Sequence, residues 1–284
     1  MHKKFINIKQ RFKPNIIQKI IKNTSPKIKG YWFFLTLIFK ICPHKLEALI
    51  IFPKNEIKVE LDLQDPYQLD IFCKNKYELM EPYVVYKLLP RKGIFFDVGA
   101  NCGWYSRIIS NLKSEAIIYA FEPNIKAFNF LKEFCSENVI TLPVAVGEDN
   151  FNKVMPINPF YRQPSGTYFK KAPKGINLIS LDSFCSKHKL IPDFIKIDVE
   201  GFELEVLKGA SKIIETCKFL LIEINNKDSV VGCKYEPNLI FQILMKKGFI
   251  FKYLVSNKEN SIAEIDSLKI GSVLFCKEKI ENSF

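Results

Sequence analysis

Hydrophobic and polar positions change their spacing several times along the chain, and each change predicts an element. Ile57-Lys58-Val59-Glu60-Leu61-Asp62-Leu63 alternates with period two, which predicts a half-buried strand. Tyr77 to Leu89 reads as a helix that stops at Pro90-Arg91-Lys92-Gly93. Short apolar runs and amphipathic stretches then take turns. Strands are expected at Gly93–Val98, Ala116–Phe121, Val139–Val146, Phe194–Asp198 and Phe219–Ile224. Helices are expected at Trp104–Leu112, Ile125–Cys135, Asp182–Lys189, Phe202–Lys208 and Asn238–Lys247. Two last strands, Phe249–Val255 and Ser272–Lys277, have only a turn-rich linker between them.

Strands separated by helices imply an α/β, Rossmann-like architecture with a mainly parallel sheet covered on both faces. The final pair lacks a crossover helix, so the last strand of the seven is expected to run antiparallel. Residues 150–175 interrupt the alternation with Pro156, Pro159, Pro164 and Pro173. That stretch reads as an inserted loop or short hairpin, a place where substrate contacts often lie. The expected organisation is an N-terminal extension over residues 1–56 and one catalytic domain over 57–284. Within the latter, 57–92 hold a leading strand and helix, and 93–284 the core sheet.

Composition changes this picture at one end of the chain. Of the 284 residues 48% are hydrophobic and 25% charged, enough for one large core with an appendage. The net charge of +12 is concentrated: residues 1–54 hold 12 Lys and Arg against Glu47 alone. The remaining residues hold 30 basic and 29 acidic side chains, so the body is nearly neutral. A cleft that tracks a nucleic acid needs its Lys and Arg in the folded body, so nucleic acid is not an expected partner. The basic end fits contact with an anionic membrane surface, or packing on the body as an ordinary extension. Tyr31 to Cys42 is apolar but, at twelve residues, shorter than the roughly 20 a bilayer-spanning helix needs. Pro14 to Lys22 sets four isoleucines on one helical face beside lysines, as an interfacial helix would. The eight cysteines form no C-x-x-C pair and mostly lie in apolar runs, which reads as reduced, buried thiols in a cytoplasmic protein. The three histidines have no metal spacing, so no metal site is expected.

Glycine is sparse at 12 copies, so the cluster from Gly93 to Gly103 stands out. Asp97-x-Gly99-x-Asn101-x-Gly103 falls between a strand and a helix, where ligands of doubly wound sheets bind. Gly99 permits a tight turn, and Gly103 lets the helix begin close to a ligand. Asp97, at the strand's end, can hold the cationic amino group of an amino acid moiety. Glu122 ends the next strand, where a carboxylate can accept hydrogen bonds from ribose hydroxyls. The alternative is an ordinary turn with a solvated Glu. A nicotinamide dinucleotide site would need G-x-G-x-x-G, whereas here Asn101 stands where that pattern has its second glycine. A nucleoside joined to an amino acid fits better, which points to S-adenosylmethionine.

A second cluster, Lys196-Ile197-Asp198-Val199-Glu200-Gly201, closes the fourth strand, and Glu223 closes the fifth. Transfer of a methyl group to a hydroxyl needs a nearby base, and Asp198, Glu200 and Glu223 are the candidates. Glu200 and Glu203 also flank a helix start, where negative charge is favourable in its own right. Asn158-Pro159-Phe160-Tyr161 approaches the loop with which amino methyltransferases grip a planar nitrogen, but no apolar strand precedes it.

Three segments in order resemble the FkbM-type methyltransferase family. They are Phe96 to Ser106, Ala120-Phe121-Glu122-Pro123, and Ile195 to Ala210, with Ala145-Val146-Gly147 and Leu181-Asp182 as lesser matches. The resemblance runs from about Ile57 to Phe275 and implies a class I methyltransferase fold with S-adenosylmethionine as donor. It carries Asp97, Gly99, Asn101, Gly103 and Glu122 over as cofactor residues. The full candidate set adds Ala100, Tyr105, Pro123, Ala145 and Asp198. The implied reaction is O-methylation of a hydroxyl on a glycan, glycolipid precursor or secondary metabolite. A catalytically silent cofactor-binding partner protein and a nicotinamide-dependent oxidoreductase are the alternatives.

Overall fold

The computed structural model describes residues 4–5, 9–14, 44–52, 55–73, 78–148, 153–156, 169–171, 175–224, 237–256, 261–264 and 271–277. Contacts divide the chain into two compact units, residues 1–5 with 80–284, and residues 6–79. Strand β1 (Lys4–Phe5) belongs to the first.

The smaller unit is an antiparallel sheet of β2 (Lys9–Phe12), β3 (Lys45–Ile51) and β4 (Glu56–Asp62), followed by α1 (Pro66–Cys73). Alternation buries Leu46, Ala48 and Ile50 on β3 and Ile57, Val59 and Leu61 on β4. Phe72 of α1 meets Phe12 edge-on at 5.1 Å. Asp65 caps the helix by accepting from the Tyr67 and Gln68 N–H groups. The charge step near residue 56 is therefore not a structural boundary. β3 and β4 flank it and pair from Lys45–Asp62 to Ile51–Glu56, so the contact boundary lies after Leu79 instead. The apolar run 31–42 and nearly all of 14–22 lie outside the described residues.

The larger unit opens with α2 (Met80–Leu88) and then alternates: β5 (Ile94–Val98), α3 (Trp104–Leu112), β6 (Ile117–Phe121), α4 (Ile125–Phe134) and β7 (Val139–Leu142). β8 (Ala145–Val146), β9 (Lys153–Pro156), β10 (Phe169–Lys171) and β11 (Ile176–Ile179) follow. Next come α5 (Leu181–His188), β12 (Phe194–Ile197), α6 (Glu203–Gly209), α7 (Ile213–Thr216) and β13 (Phe219–Ile224). The chain ends with α8 (Pro237–Lys246), β14 (Ile250–Ser256), β15 (Ser261–Glu264) and β16 (Gly271–Cys276).

The sheet order is β1-β15-β14-β16-β13-β12-β5-β6-β7. The seven strands expected from the sequence occupy it from β14 to β7, and β16, the last, runs antiparallel to β13 and β14. β13, β12, β5, β6 and β7 pair in parallel. Two strands extend the sheet beyond expectation. β15 sits in what reads as a turn-rich linker, and β1 from the extension pairs with it. The run Val139–Val146 is not one strand. Pro143 has no N–H to donate, so β7 ends at Leu142 and β8 pairs instead with β11 in a second sheet, β10-β9-β11-β8. Within 150–175 the described residues form the β9–β10 hairpin.

Period-two alternation splits each central strand between two environments. Phe96, Val98, Ile195 and Ile197 enter one apolar cluster with Leu181 of α5, Val206 and Leu207 of α6, Ile214 of α7 and Phe241 of α8. Phe184 of α5 packs edge-on against Phe96, Tyr119 and Phe121, a use for some of the many phenylalanines. Asp97 and Lys196 have the opposite parity. Burial pushes the Cys185 and Cys217 thiols up to about 12 and that of Cys276 to about 11, which keeps them unreactive.

Candidate active site

The turn between β5 and α3 crosses the carboxyl edge of the parallel strands. It uses three left-handed residues: Gly99 at φ 78°, Asn101 at φ 50° and Gly103 at φ 81°. Asn is among the few side chains that adopt this region readily, which accounts for its place in the loop. The Gly99 and Ala100 N–H groups both donate to the Phe121 carbonyl at 3.0 Å, pinning the loop to the end of β6. A Cβ on Gly99 would lie 1.8 Å from the Asp198 carbonyl oxygen, so glycine is required by close approach as well as by φ.

Asp97 is fully buried. Its Oδ2 accepts from the Ser106 N–H at 3.1 Å and the Ser106 hydroxyl at 2.6 Å. Its Oδ1 is buried without a hydrogen-bond partner, and Lys196 Nζ stands 3.5 Å away. Such an acceptor is costly to leave bare, and an ammonium donor would satisfy it.

Lys196 sits beside Asp97 in the β12–β5 register. Its ammonium donates to the Gly99 carbonyl at 3.1 Å, lies 3.2 Å from Asp198 Oδ2, and stands 4.5 Å from the centre of the Tyr105 ring. Asp198 follows β12 and donates its N–H to the Val98 carbonyl. Burial works to raise its carboxyl, but the Lys196 charge and hydrogen bonding with Glu223 and Lys196 outweigh it and hold Asp198 below its ordinary value. Asp198 therefore stays ionised at neutral pH, and Glu223 stands beside it at the end of the neighbouring strand.

Glu200 takes the left-handed region at φ 53°, and Gly201 follows at φ 100°. Glutamate there costs on the order of 1–3 kcal/mol, and such strain tends to collect where a loop must present something. Glu203, fully buried, holds the turn through Oε1, which accepts from the Gly201 N–H at 2.9 Å and the Val199 N–H at 3.4 Å. Glu203→Ala should therefore lower unfolding free energy by about 2–3 kcal/mol. Glu203→Gln, which keeps an acceptor, should lose less than about 1 kcal/mol. Urea midpoints measure both; equal losses would mean that the turn does not depend on this acceptor.

Glu122 is nearly buried, yet both its oxygens are held: Oε2 accepts from the Asn101 N–H and Oε1 from the Asn124 N–H, each at 2.7 Å. Burial pushes its carboxyl up to about 7, against the lowering effect of those two N–H groups and of Lys196. Free of ligand, the ionised form is thus penalised in the fold.

The structure therefore gathers Asp97, Gly99 and Asp198 around Lys196 and joins Asn101 of the same loop to Glu122, with Glu223 beside Asp198. Other candidates also have structural contacts of their own. The Cβ position of Gly103 faces Leu131 Cδ1 at 2.4 Å, so this glycine also serves the packing of α3 on α4. The Ala100 N–H is already used by Phe121, and Tyr105 is buried with its ring against Lys196. Pro123 leads into Asn124, whose side chain caps α4. Ala145 pairs with Leu178 and packs with it and Phe202 in a small separate core. Asp182 accepts from the Lys212 and Ile213 N–H groups at the start of α7, a structural cap. Sequence reasoning gave no role to Lys196 or Ser106. A lysine within the otherwise apolar Phe194-Ile195-Lys196-Ile197 was the available signal, because all four positions of such a strand are buried.

The sequence profile of the Methyltransferase FkbM domain matches residues 97–251, from the glycine loop into β14. A curated relative, the hexuronic acid methyltransferase AglP of Haloferax volcanii, is 32% identical over 137 residues, which span 46% of this chain and 56% of that protein. The match thus covers only about half of the relative's length. Among solved structures, the precorrin-6y C5,15-methyltransferase of Geobacter metallireducens aligns with TM-score 0.40 and 15% identity over 70% of this chain and 88% of that one. A TehB-like S-adenosylmethionine-dependent methyltransferase of Corynebacterium glutamicum aligns with TM-score 0.44 and 10% identity over 75% and 95%. With the family profile covering more than half of its length, this chain belongs to the FkbM methyltransferase domain family, a family of S-adenosylmethionine-dependent enzymes.

Proposed function

We propose that the chain transfers the methyl group of S-adenosylmethionine to a hydroxyl of a glycan or glycolipid precursor, with a secondary metabolite as the other acceptor class. The observation that carries this reading is a buried carboxylate oxygen on Asp97 that accepts no hydrogen bond, with a second carboxylate, Glu122, at the end of the next strand. When bound, S-adenosylmethionine supplies an electrophilic methyl carbon on a sulfonium sulfur. Asp97 Oδ1 would accept from the donor's ammonium group, and the Glu122 oxygens from its ribose hydroxyls. Asp198, ionised and only partly exposed, would take the proton of the acceptor hydroxyl as its oxygen approaches in line with the breaking bond. Glu223 stands in hydrogen-bond contact with Asp198, and Glu200 stands on the adjoining turn. A relative that acts on hexuronic acid supports a sugar acceptor.

The +11 of residues 1–54 favours a cytoplasmic enzyme resting against an anionic membrane face. Among the described residues no helix is long and apolar enough to cross a membrane. Replacing Lys19, Lys22, Lys27 and Lys29 by Gln should reduce flotation with anionic liposomes, and unchanged flotation would leave these charges without that role.

Incubating the protein with cell extract and methyl-labelled donor should place label in the polysaccharide or lipid fraction. Label confined to nucleic acid or protein would overturn the acceptor class. Calorimetry adds a pH test. Because the Glu122 carboxyl titrates at about 7 and must be ionised to accept two hydroxyls, S-adenosylhomocysteine should bind roughly tenfold more weakly at pH 6 than at pH 8. For the unliganded protein the sign is opposite. The folded state holds this proton more tightly than the unfolded chain, so stability falls as pH rises from the ordinary 4.5 through 7. Glu122→Gln should flatten both profiles.

A further inference from the structure

Lys196 is 3% exposed, on a strand whose other members are Phe194, Ile195 and Ile197. An ammonium removed from water is tolerated only where partners compensate it, and here they come from three separate stretches of chain. The Gly99 carbonyl, the Asp97 and Asp198 carboxylates and the Tyr105 ring all lie within 4.5 Å of Nζ. The bond to Gly99 is mechanical: it ties the glycine loop to β12, the strand whose following residue closes on that glycine.

Charge gives Lys196 a second consequence. Counted formally, Asp97, Lys196 and Asp198 sum to −1, and without the lysine the same site would count −2. S-adenosylmethionine carries a carboxylate, an ammonium and a sulfonium, a net +1, whereas S-adenosylhomocysteine is neutral overall. The sulfonium charge disappears as the methyl group leaves, so a site that is too negative stabilises the bound donor more than the transition state.

Resting on the donor reading above, we infer that Lys196 is the positioning residue of the site: it holds the Gly99 loop in place and limits how strongly the site prefers the charged donor over the neutral product. The first role acts on both ligands equally, and the second acts on their ratio.

Titration calorimetry with S-adenosylmethionine and S-adenosylhomocysteine separates the two roles. In Lys196→Met the loop tie and the charge are both lost. S-adenosylhomocysteine binding should fall at least about tenfold, while the donor-to-product affinity ratio should rise at least about tenfold, the effect of a unit charge roughly 12 Å away at an effective dielectric near 20. In Lys196→Arg the charge stays but the wider fork cannot take the 3.1 Å seat on Gly99. Both ligands should weaken together, with the ratio within about twofold of wild type. Parallel losses in Lys196→Met with an unchanged ratio would overturn the inference, as would wild-type affinities in Lys196→Arg. Should Lys196→Met fail to fold, the arginine variant decides alone, because a shifted ratio or unchanged affinities there are each fatal. A wild-type protein that binds neither ligand would instead overturn the donor reading, and this inference with it.

Discussion

Asp97→Asn should weaken S-adenosylhomocysteine binding by roughly 30- to 1,000-fold, the loss expected when one partner of a buried charge pair is removed, about 2–4 kcal/mol. The substitution keeps the size of the side chain and leaves an oxygen for the Ser106 N–H and hydroxyl. What changes is the other atom. Where Oδ1 stands buried with Lys196 Nζ 3.5 Å away, an amide would present N–H groups to a cation and to any ammonium a ligand brings. Donor would face donor, and the Asp97–Lys196 attraction would vanish. Calorimetric titration measures the affinity, and thermal unfolding shows whether the fold survives. A loss below about fivefold in a folded Asp97→Asn protein would mean that this oxygen does not meet a cationic group of the ligand.

The parts of this site that could be read from the chain are those written in backbone geometry. Gly99 and Gly103 mark positive φ, and a strand followed by such a turn and a helix places the loop at the sheet's carboxyl edge. Glu122 was legible for the same reason, since it ends the next strand. Lys196 was not, because its meaning depends on the β12–β5 register, which sets it beside a carboxylate 99 positions earlier. The sequence places Gly103 at a helix start close to a ligand, and the structure adds a packing role. The glycine's missing Cβ makes room for Leu131 of another helix, a contact that no local pattern announces.

At the level of the fold, the central strands were legible because parallel strands buried on both faces read as continuous apolar runs. The break at Pro143 was visible in principle, since proline cannot donate to a ladder, but the flanking apolar residues concealed it. β15 and β1 are four and two residues long and join the sheet by edge pairing, so their existence depends on partners rather than on their own sequence. The charge step near residue 56 tracks composition, whereas β3 and β4 pair across it through backbone groups that carry no charge signal.

Gly99→Ala should destabilise the larger unit severely, by on the order of 3–5 kcal/mol. Two separate costs add. At φ 78° an L side chain costs about 1–2 kcal/mol on backbone grounds. The new Cβ would also lie 1.8 Å from the Asp198 carbonyl oxygen and 2.9 Å from its carbon, which are backbone atoms that cannot swing aside. The turn after β12 would have to retreat, lengthening the Lys196–Gly99 bond and the Asp198 N–H bond to Val98. Gly248 isolates the first cost. It shares the left-handed conformation at φ 83°, but a Cβ there meets nothing within 4 Å. Gly248→Ala should therefore lose only about 1–2 kcal/mol. For a unit of this size the difference corresponds to a midpoint roughly 5–10 °C lower for Gly99→Ala than for Gly248→Ala in thermal unfolding. Ligand binding should be lost with the first variant and kept with the second. Equal midpoints would show that the glycine loop and the Asp198 turn do not touch, and the site built on their contact would fall with that result.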